Sequence, residues 1–286
     1  MEHMMHTPFT ETTQAALPRA IEENAAEFLL AMGRAAGAEE RQDASIHWTI
    51  GGSPIDYHNC VVRAHLLPET ADAAIQASLE RFHAYNVPGT WHVGPAMRPP
   101  DLGTRLLAHG FTLGGTEPGM AVEVQTLPAA VPAPATLQIE RVTDTHGLAV
   151  WTQTLGQGFG EGEREAAWVG AIYQRIGLDD DRPWRHYLGR LQGTPVATAS
   201  LFLGAGVAGV YFVFTVPRAR RQGIGAAITL TALHDACKLG YRIGVLGASP
   251  LGYPVYQRLG FREYCTIGIY EWRPLRNHHG CDGSGP

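Results

Sequence analysis

Residues 210–229 read VYFVFTVPRARRQGIGAAIT. The stretch begins as a β-branched and aromatic run that ends at Thr215, the pattern of a buried strand. Pro217 cannot donate to a sheet ladder, and Arg218, Arg220 and Arg221 crowd the short loop behind it. Gly223-Ile224-Gly225-Ala226 then opens a helix. The first turn of a helix has free N–H groups and a partial positive end. Glycines there leave out the Cβ atoms that would block an approaching anion. Strand, glycine-rich loop and helix start together make a phosphate cradle. Two common cradles do not fit. The Walker pattern lacks its Lys after Gly225, and GxGxxG lacks its third glycine because position 228 is Ile.

Outward from this loop, GIGAAITLTALHDACKLG (223–240) reads as a helix with Ile224, Ala227, Ile228, Thr231 and Leu239 near one face. An apolar strand over 241–248 follows. Residues 249–261 read SPLGYPVYQRLGF, a short helix leading into a strand or strand pair, FREYCTIGIYEW. On the other side, LQIERV (137–142) is a strand, 144–177 is helical with a break at Gly156–Gly162, and WRHYLGRL (184–191) precedes a hairpin over 194–216. The predicted class is α/β, a mixed sheet with helices on both faces.

Two motifs carry a resemblance. Arg220, Gly223 and Gly225 stand as R-x-x-G-x-G before an alanine-rich helix. Tyr256, Leu259, Gly260 and Phe261 stand as Y-x-x-L-G-F, one helix and one strand later. In this order and at this distance they resemble the GNAT family, the GCN5-related N-acetyltransferases, over about 137–273. The resemblance implies acyl transfer, usually of acetyl, from coenzyme A to an amine. It implies that the parallel strands over 209–216 and 241–248 splay apart. Backbone groups of Val213, Phe214 and Thr215 would then pair with the pantetheine amides. The loop of Arg220, Arg221, Gln222, Gly223, Ile224, Gly225 and Ala226 would hold the pyrophosphate of acetyl-CoA or another acyl-CoA. Ser249 falls near the pantetheine arm, and Tyr256 matches the general acid that protonates the departing thiolate. A Tyr that merely packs beneath the cofactor is the alternative.

The general base stays open. Many members place a Glu on the strand before the phosphate loop, and GVYFVFTV has no carboxylate. Tyr211, Glu161, Glu163 and a water chain are the candidates. The acceptor pocket is expected around GQGFGEGE (156–163), with Phe159 and Trp168 as apolar walls and Glu161 and Glu163 attracting a cationic amine. A solvated acidic loop is the competing reading.

The 286-residue length suggests two domains. LPAAVPAPAT (127–136) is the expected linker, with three prolines and no charge. The expected division is a degenerate GNAT-like domain at 1–126, the linker, a catalytic domain at 137–273, and a flexible tail at 274–286. The first half repeats the order of elements: strand CVVRAHLL (60–67), helix 69–85, short strand TWHVGP, helix PDLGTRLLAHGF and strand TEPGMAVEV. It lacks the cradle. LLPETADAA stands where the glycine loop should be, with Glu69 and Asp72 repelling an anion, and Leu106 replaces the tyrosine. The fold expected is two GNAT-like mixed-sheet domains in tandem, with one active site.

Composition excludes other classes. Hydrophobic residues are 45% and charged residues 17%, which fits globular cores rather than disorder. A net charge of −5 gives no broad basic field for nucleic acid. The stretch from 191 to 217 has no charged residue, but its glycines and Pro195 read as a hairpin, not a membrane span. Four cysteines at 60, 237, 265 and 281 without CxxC spacing, and a polar first segment, point to a reduced, cytoplasmic enzyme. No metal pairing occurs among the 13 histidines. The leading expectation is an N-acyltransferase for a small-molecule amine, monomeric or homodimeric. A protein-amine acetyltransferase and a non-catalytic acyl-CoA-binding module are the alternatives.

Overall fold

The computed structural model describes residues 15–274. The first half contains α1 (Leu17–Ala36), β1 (Glu39–Gln42), β2 (Ile46–Ile50), β3 (Cys60–Ala64), α2 (Ala71–Tyr85), β4 (Gly89–Val93), α3 (Leu102–Ala108) and β5 (Thr112–Glu123). The second contains β6 (Leu137–Val142), α4 (Thr145–Leu155), α5 (Glu163–Ile176), β7 (Trp184–Leu191), β8 (Thr194–Gly204), β9 (Val207–Thr215), α6 (Ile224–Lys238), β10 (Ile243–Gly247), α7 (Tyr253–Arg258) and β11 (Arg262–Trp272). Local chemistry sets the boundaries. Pro18 opens α1, and Gly37 closes it in the left-handed conformation at φ 78°. Asp144 caps α4 by accepting from the Gly147 amide at 2.7 Å. The uncharged stretch is the β8–β9 hairpin, turned by Ala205 and Gly206, both at positive φ. Among the described residues no helix is long and apolar enough to cross a membrane.

All eleven strands form one mixed sheet in the order β1-β2-β3-β4-β11-β5-β10-β9-β8-β7-β6. The two halves are interleaved in it. β5, from the first half, runs antiparallel to β10 from Ile243↔Glu123 to Gly247↔Gly119. Its other edge pairs with β11 from Arg262↔Ala121 to Glu271↔Thr112. β11, a single strand where one or two were expected, also pairs with β4 from Gly268↔Val93 to Trp272↔Gly89. Each half therefore depends on a strand of the other for its backbone hydrogen bonds.

Side chains join the halves as well. Phe28 of α1 stacks on Tyr211 of β9, with ring centroids 3.8 Å apart and planes 7° from parallel. The buried Asn24 donates to the Gly204 carbonyl at 2.9 Å and accepts from the Tyr211 hydroxyl at 2.7 Å. One apolar core runs from Phe28, Met32 and Val62 to Trp151, Leu188 and Phe212. The sequence reading assigned no structure to 17–50, yet α1 is the helix that locks the first half onto the second.

A fragment starting at residue 137 would leave β10 with one open edge and β11 with no partner at all. We expect it to aggregate or stay unfolded, and to become soluble when residues 1–136 are co-expressed. Gel filtration and circular dichroism of the fragment, alone and co-expressed, check this.

Candidate active site

The site begins with a fault in β9. Tyr211 faces Ser200 and Phe214 faces Thr198, so two residues of β9 oppose one of β8. This is a β-bulge. Phe212 sits in it at φ 49°, a conformation bulky residues seldom adopt. The fully buried Thr198 donates its hydroxyl to the Phe212 carbonyl at 2.9 Å, which satisfies a group the ladder has lost. The bulge bends β9 away from its parallel neighbour. β9 and β10 pair only at Gly244↔Ala208 and Val245↔Gly209. Beyond that, Val210 to Thr215 keep β8 on one side and face an open wedge on the other. An edge of this kind can pair with the amides of an extended ligand, as in strand addition.

The wedge leads to the start of α6. Arg221 at φ 62° and Gly223 at φ 79° turn the chain so that the helix points at the wedge. Among the described residues, the amides of 222–226 donate to no backbone oxygen. A Cβ on Gly223 would lie 2.0 Å from the Pro132 carbonyl oxygen, so only glycine fits there and the 127–136 segment packs against the loop. A Cβ on Gly225 would meet nothing closer than 3.6 Å, which leaves open space on that side of the first turn. Arg220 donates to the Thr215 carbonyl at 3.0 Å and places its guanidinium 5.8 Å from the Phe214 ring centre. Arg221 is exposed.

The wedge opens into a cleft of about 1930 Å³. Tyr256 of α7, only 7% exposed, lines it, and burial pushes its phenol pKa up. Ser249 lines it too, and its hydroxyl accepts from the Gly252 amide at 3.1 Å. At the far end the walls come from both halves: Glu22 of α1, Asp56 and Tyr57, His92 of β4, Glu117 of β5, Phe159, Glu165 of α5 and Glu271 of β11. Burial raises Glu22 to about 7 and lowers His92 to about 4. The Glu165 carboxylate accepts from the Tyr57 hydroxyl and, at 2.9 Å, from the Glu161 amide, while burial raises its pKa. The cleft is thus polarised, with arginines 220, 221 and 258 at one end and carboxylates at the other. Among the described residues no cluster of His, Cys, Asp and Glu suits a metal ion.

Residues 150–261 match the model of the acetyltransferase (GNAT) family. The match covers 150–261, from within α4 to just before β11. Among solved structures, a GCN5-related N-acetyltransferase from Kribbella flavida is 21% identical, with a TM-score of 0.66, covering 86% of this chain and 95% of that one. A functionally unknown conserved protein from Staphylococcus epidermidis is 14% identical, with a TM-score of 0.64 over 83% of this chain and 95% of that one. A tandem GNAT protein from the clavulanic acid biosynthesis pathway is 13% identical, with a TM-score of 0.56 over 87% and 94%. At these identities the likeness is one of fold. No curated protein matches the sequence.

Within the matched segment, Val213, Phe214, Thr215, Arg220, Arg221, Gly223, Ile224, Gly225, Ala226, Ser249 and Tyr256 all line the cleft, as do Phe159 and Tyr211. Gln222 does not; it is exposed beside the loop. Glu161 and Glu163 are also outside the lining: both are exposed, and Glu161 pairs with Arg164 at 2.8 Å. Glu165, two residues on, is the buried carboxylate of that segment. Trp168 lies outside the lining as well, with its indole N–H donating to the Gly52 carbonyl at 3.3 Å. Tyr211 is held by Asn24 and Phe28, and burial raises its pKa well above that of a free phenol. Asp56, Tyr57, His92 and Glu117 were missed because only the folded sheet brings them to this cleft.

The first half has its own pair of parallel strands, β3 and β4, also joined at two positions, Cys60↔Thr90 and Val61↔Trp91. There the gap is closed by the chain itself. The Arg98 amide donates to the Ala64 carbonyl at 2.9 Å, and the Leu66 amide donates to the Arg98 carbonyl at 3.1 Å. The start of α2 carries Asp72, paired with Arg105 at 2.6 Å. No wedge and no free anion cradle result.

Thr198→Val should remove the bulge's supporting hydrogen bond at constant volume and destabilise the protein by about 1–3 kcal/mol. Thermal melting checks this; an unchanged melting temperature would mean that the bulge holds without it.

Proposed function

We propose that this protein transfers an acyl group from acetyl-CoA to the amine of a small molecule, by direct attack of the amine on the thioester. The observation that carries the reading is the continuity of the wedge: one path runs from the free amides of α6, along the unpaired edge of β9, into a carboxylate-walled chamber. The residues fit an acyl-CoA along its length. The amides of 222–226 and the nearby arginines suit the pyrophosphate. The open edge of Val213–Thr215 suits the pantetheine amides. Bound acyl-CoA supplies an activated thioester; orientation and proton handling fall to the protein.

Tyr256 serves as the proton donor to the leaving sulfur. A free thiol has a pKa of about 8.5 and a phenol of about 10. Burial raises both acids, because it disfavours their anions. Cys60 and Cys265 of this protein are each pushed up to about 12 by burial. A sulfur leaving into the same kind of surroundings as Tyr256 is therefore a strong base when the phenol is within reach.

The chamber favours a small, cationic acceptor. α1, the 56–58 segment and β5 wall it on the side of the first half. A protein amine would need an open groove, which these walls narrow. A purely binding module would have no use for Tyr256 beside the wedge.

Calorimetry should show saturable acetyl-CoA binding. Gly225→Glu should weaken it by about a hundredfold or more, because a carboxylate at the first turn opposes the pyrophosphate while remaining favourable to the helix dipole. An unaffected fold by circular dichroism separates lost binding from lost structure. No binding by the native protein at millimolar acetyl-CoA would reject the reading.

Tyr256→Phe should leave the acetyl-CoA dissociation constant within about twofold and lower turnover about a hundredfold. Thiol release measured across a panel of amines gives the turnover. Equal turnover by the variant would remove Tyr256 from the chemistry.

A further inference from the structure

β9, which forms one side of the wedge, has no carboxylate, and its Tyr211 is occupied by Asn24. The strand on the other side of the wedge, β10, has none either. The next strand outward is β5, and it belongs to the first half of the chain. Its Glu117 is open to the cleft.

The face on which Glu117 stands follows from two glycines. A Cβ on Gly244 would meet Leu233 of α6 at 2.7 Å, so residue 244 looks toward the phosphate-loop helix. Side chains alternate along a strand, so residue 247 looks the other way. A Cβ on Gly247 would meet a carboxylate oxygen of Glu117 at 2.7 Å. Glu117 thus lies over the end of β10, on the face opposite α6. A Cβ on Gly209 would meet Asn24 of α1 at 1.9 Å, so this is the face that carries α1. It is also the face toward the carboxylate chamber. Gly247 has no side chain, and the carboxylate occupies the place a side chain would have taken, just where β10 parts from β9.

Among the described residues, no donor or cation pairs with Glu117. Its carboxylate is crowded by the cleft walls, which raises its pKa, while the residue stays exposed to the cleft. The titratable groups that share those walls are Glu22 from α1, Asp56 and Tyr57, His92 from β4, Glu165 from α5, Tyr211 from β9, Tyr256 from α7 and Glu271 from β11, with arginines 220, 221 and 258 lining the cleft as well. A structural carboxylate would have a partner; one left unpaired and facing a cleft is available to a proton.

We infer that Glu117, carried into the active half on β5, is the general base that takes the proton from the acceptor amine. This rests on the acyl-transfer reading above. Glu117 accepts a proton from the ammonium and frees the nitrogen lone pair. As that lone pair forms the C–N bond and the C–S bond breaks, Tyr256 gives its proton to sulfur and the second nitrogen proton, now strongly acidic, passes to water. Exchange with water returns both groups to their starting forms. The first half is then a catalytic part of the enzyme, which explains why its last strand is built into the middle of the sheet.

The test uses the full chain with acetyl-CoA and two probe amines. 1,4-Diaminobutane is protonated at pH 7.5 and needs a base; aminoacetonitrile is largely neutral there and does not. Glu117→Gln should lower kcat/KM for 1,4-diaminobutane by about 10²–10³-fold and for aminoacetonitrile by less than about tenfold. The acetyl-CoA dissociation constant from calorimetry and the melting temperature should stay near native values. Gly247→Ala is the second variant: its new methyl displaces the carboxylate without removing it, and the same bias between the amines should appear in smaller measure. Equal losses with both amines, or no loss with either, in a protein that binds acetyl-CoA and transfers acetyl, would overturn the role of Glu117 alone. A native protein that binds acetyl-CoA and acetylates neither probe would overturn the small-amine reading and this inference with it.

Discussion

β5 satisfies both of its edges with strands from beyond residue 136, and the rest of the molecule is arranged around that fact. A sheet edge left open inside a protein strands a row of polar groups. β10 is short, only Ile243–Gly247, and is joined to β9 at two positions. Without β5 it would have almost no ladder. With β5 along its whole length, β10 can afford to separate from β9, and the separation is the wedge. The bulge at Phe212 supplies the bend, and β5 supplies the anchorage that makes the bend tolerable. Binding surface and strand exchange are two sides of one hydrogen-bond account.

The legible parts of the sequence were those whose chemistry is local. A glycine loop before a helix announces an anion cradle within six residues, and 210–229 folds as strand, loop and helix start at the expected places. The hairpin over 194–216 was readable because a charge-free run broken by glycines has few other solutions. The short helix ending at Gly260 was readable because glycine at positive φ closes helices. The interleaving was not readable, since pairing partners leave no trace in composition or period. β5 reads as an ordinary strand whether it is flanked by β4 or by β10. Asn24 lies in a stretch the sequence reading left without structure, although it is fully buried and bridges to a residue 180 positions away. Glu161 and Glu163 drew attention through the density of charge in GQGFGEGE, while Glu165 in the next turn carries the contacts. Helical phase decides which of three near neighbours faces inward, and a broken segment hides that phase.

The two halves show how one architecture gains or loses a ligand site through the backbone. Both contain parallel strands joined at only two positions. In the first half, Arg98 brackets His65 with two backbone hydrogen bonds, so the edge that would greet a ligand is paired internally. In the second half, among the described residues, β9 and β10 pair no further than Gly209↔Val245. The helix starts differ in the same sense: α2 places Asp72 in its first turn, while α6 begins with glycines and is approached by arginines. Each difference acts on backbone groups, so few side-chain identities are needed to establish or abolish the site.

Charge along the cleft completes the argument. An acyl-CoA brings negative charge at its phosphates and none at its thioester, whereas a protonated amine brings positive charge. A cleft with arginines at one end and carboxylates at the other receives the two from opposite directions, and each end disfavours the wrong occupant. The carboxylates that hold an ammonium also keep it protonated, which works against attack. A carboxylate free of partners at the mouth of the wedge resolves this conflict, because it can take the proton from the ammonium before the bond forms. In this chain the group with those properties stands on β5, so the strand that anchors the wedge also brings the base to its mouth.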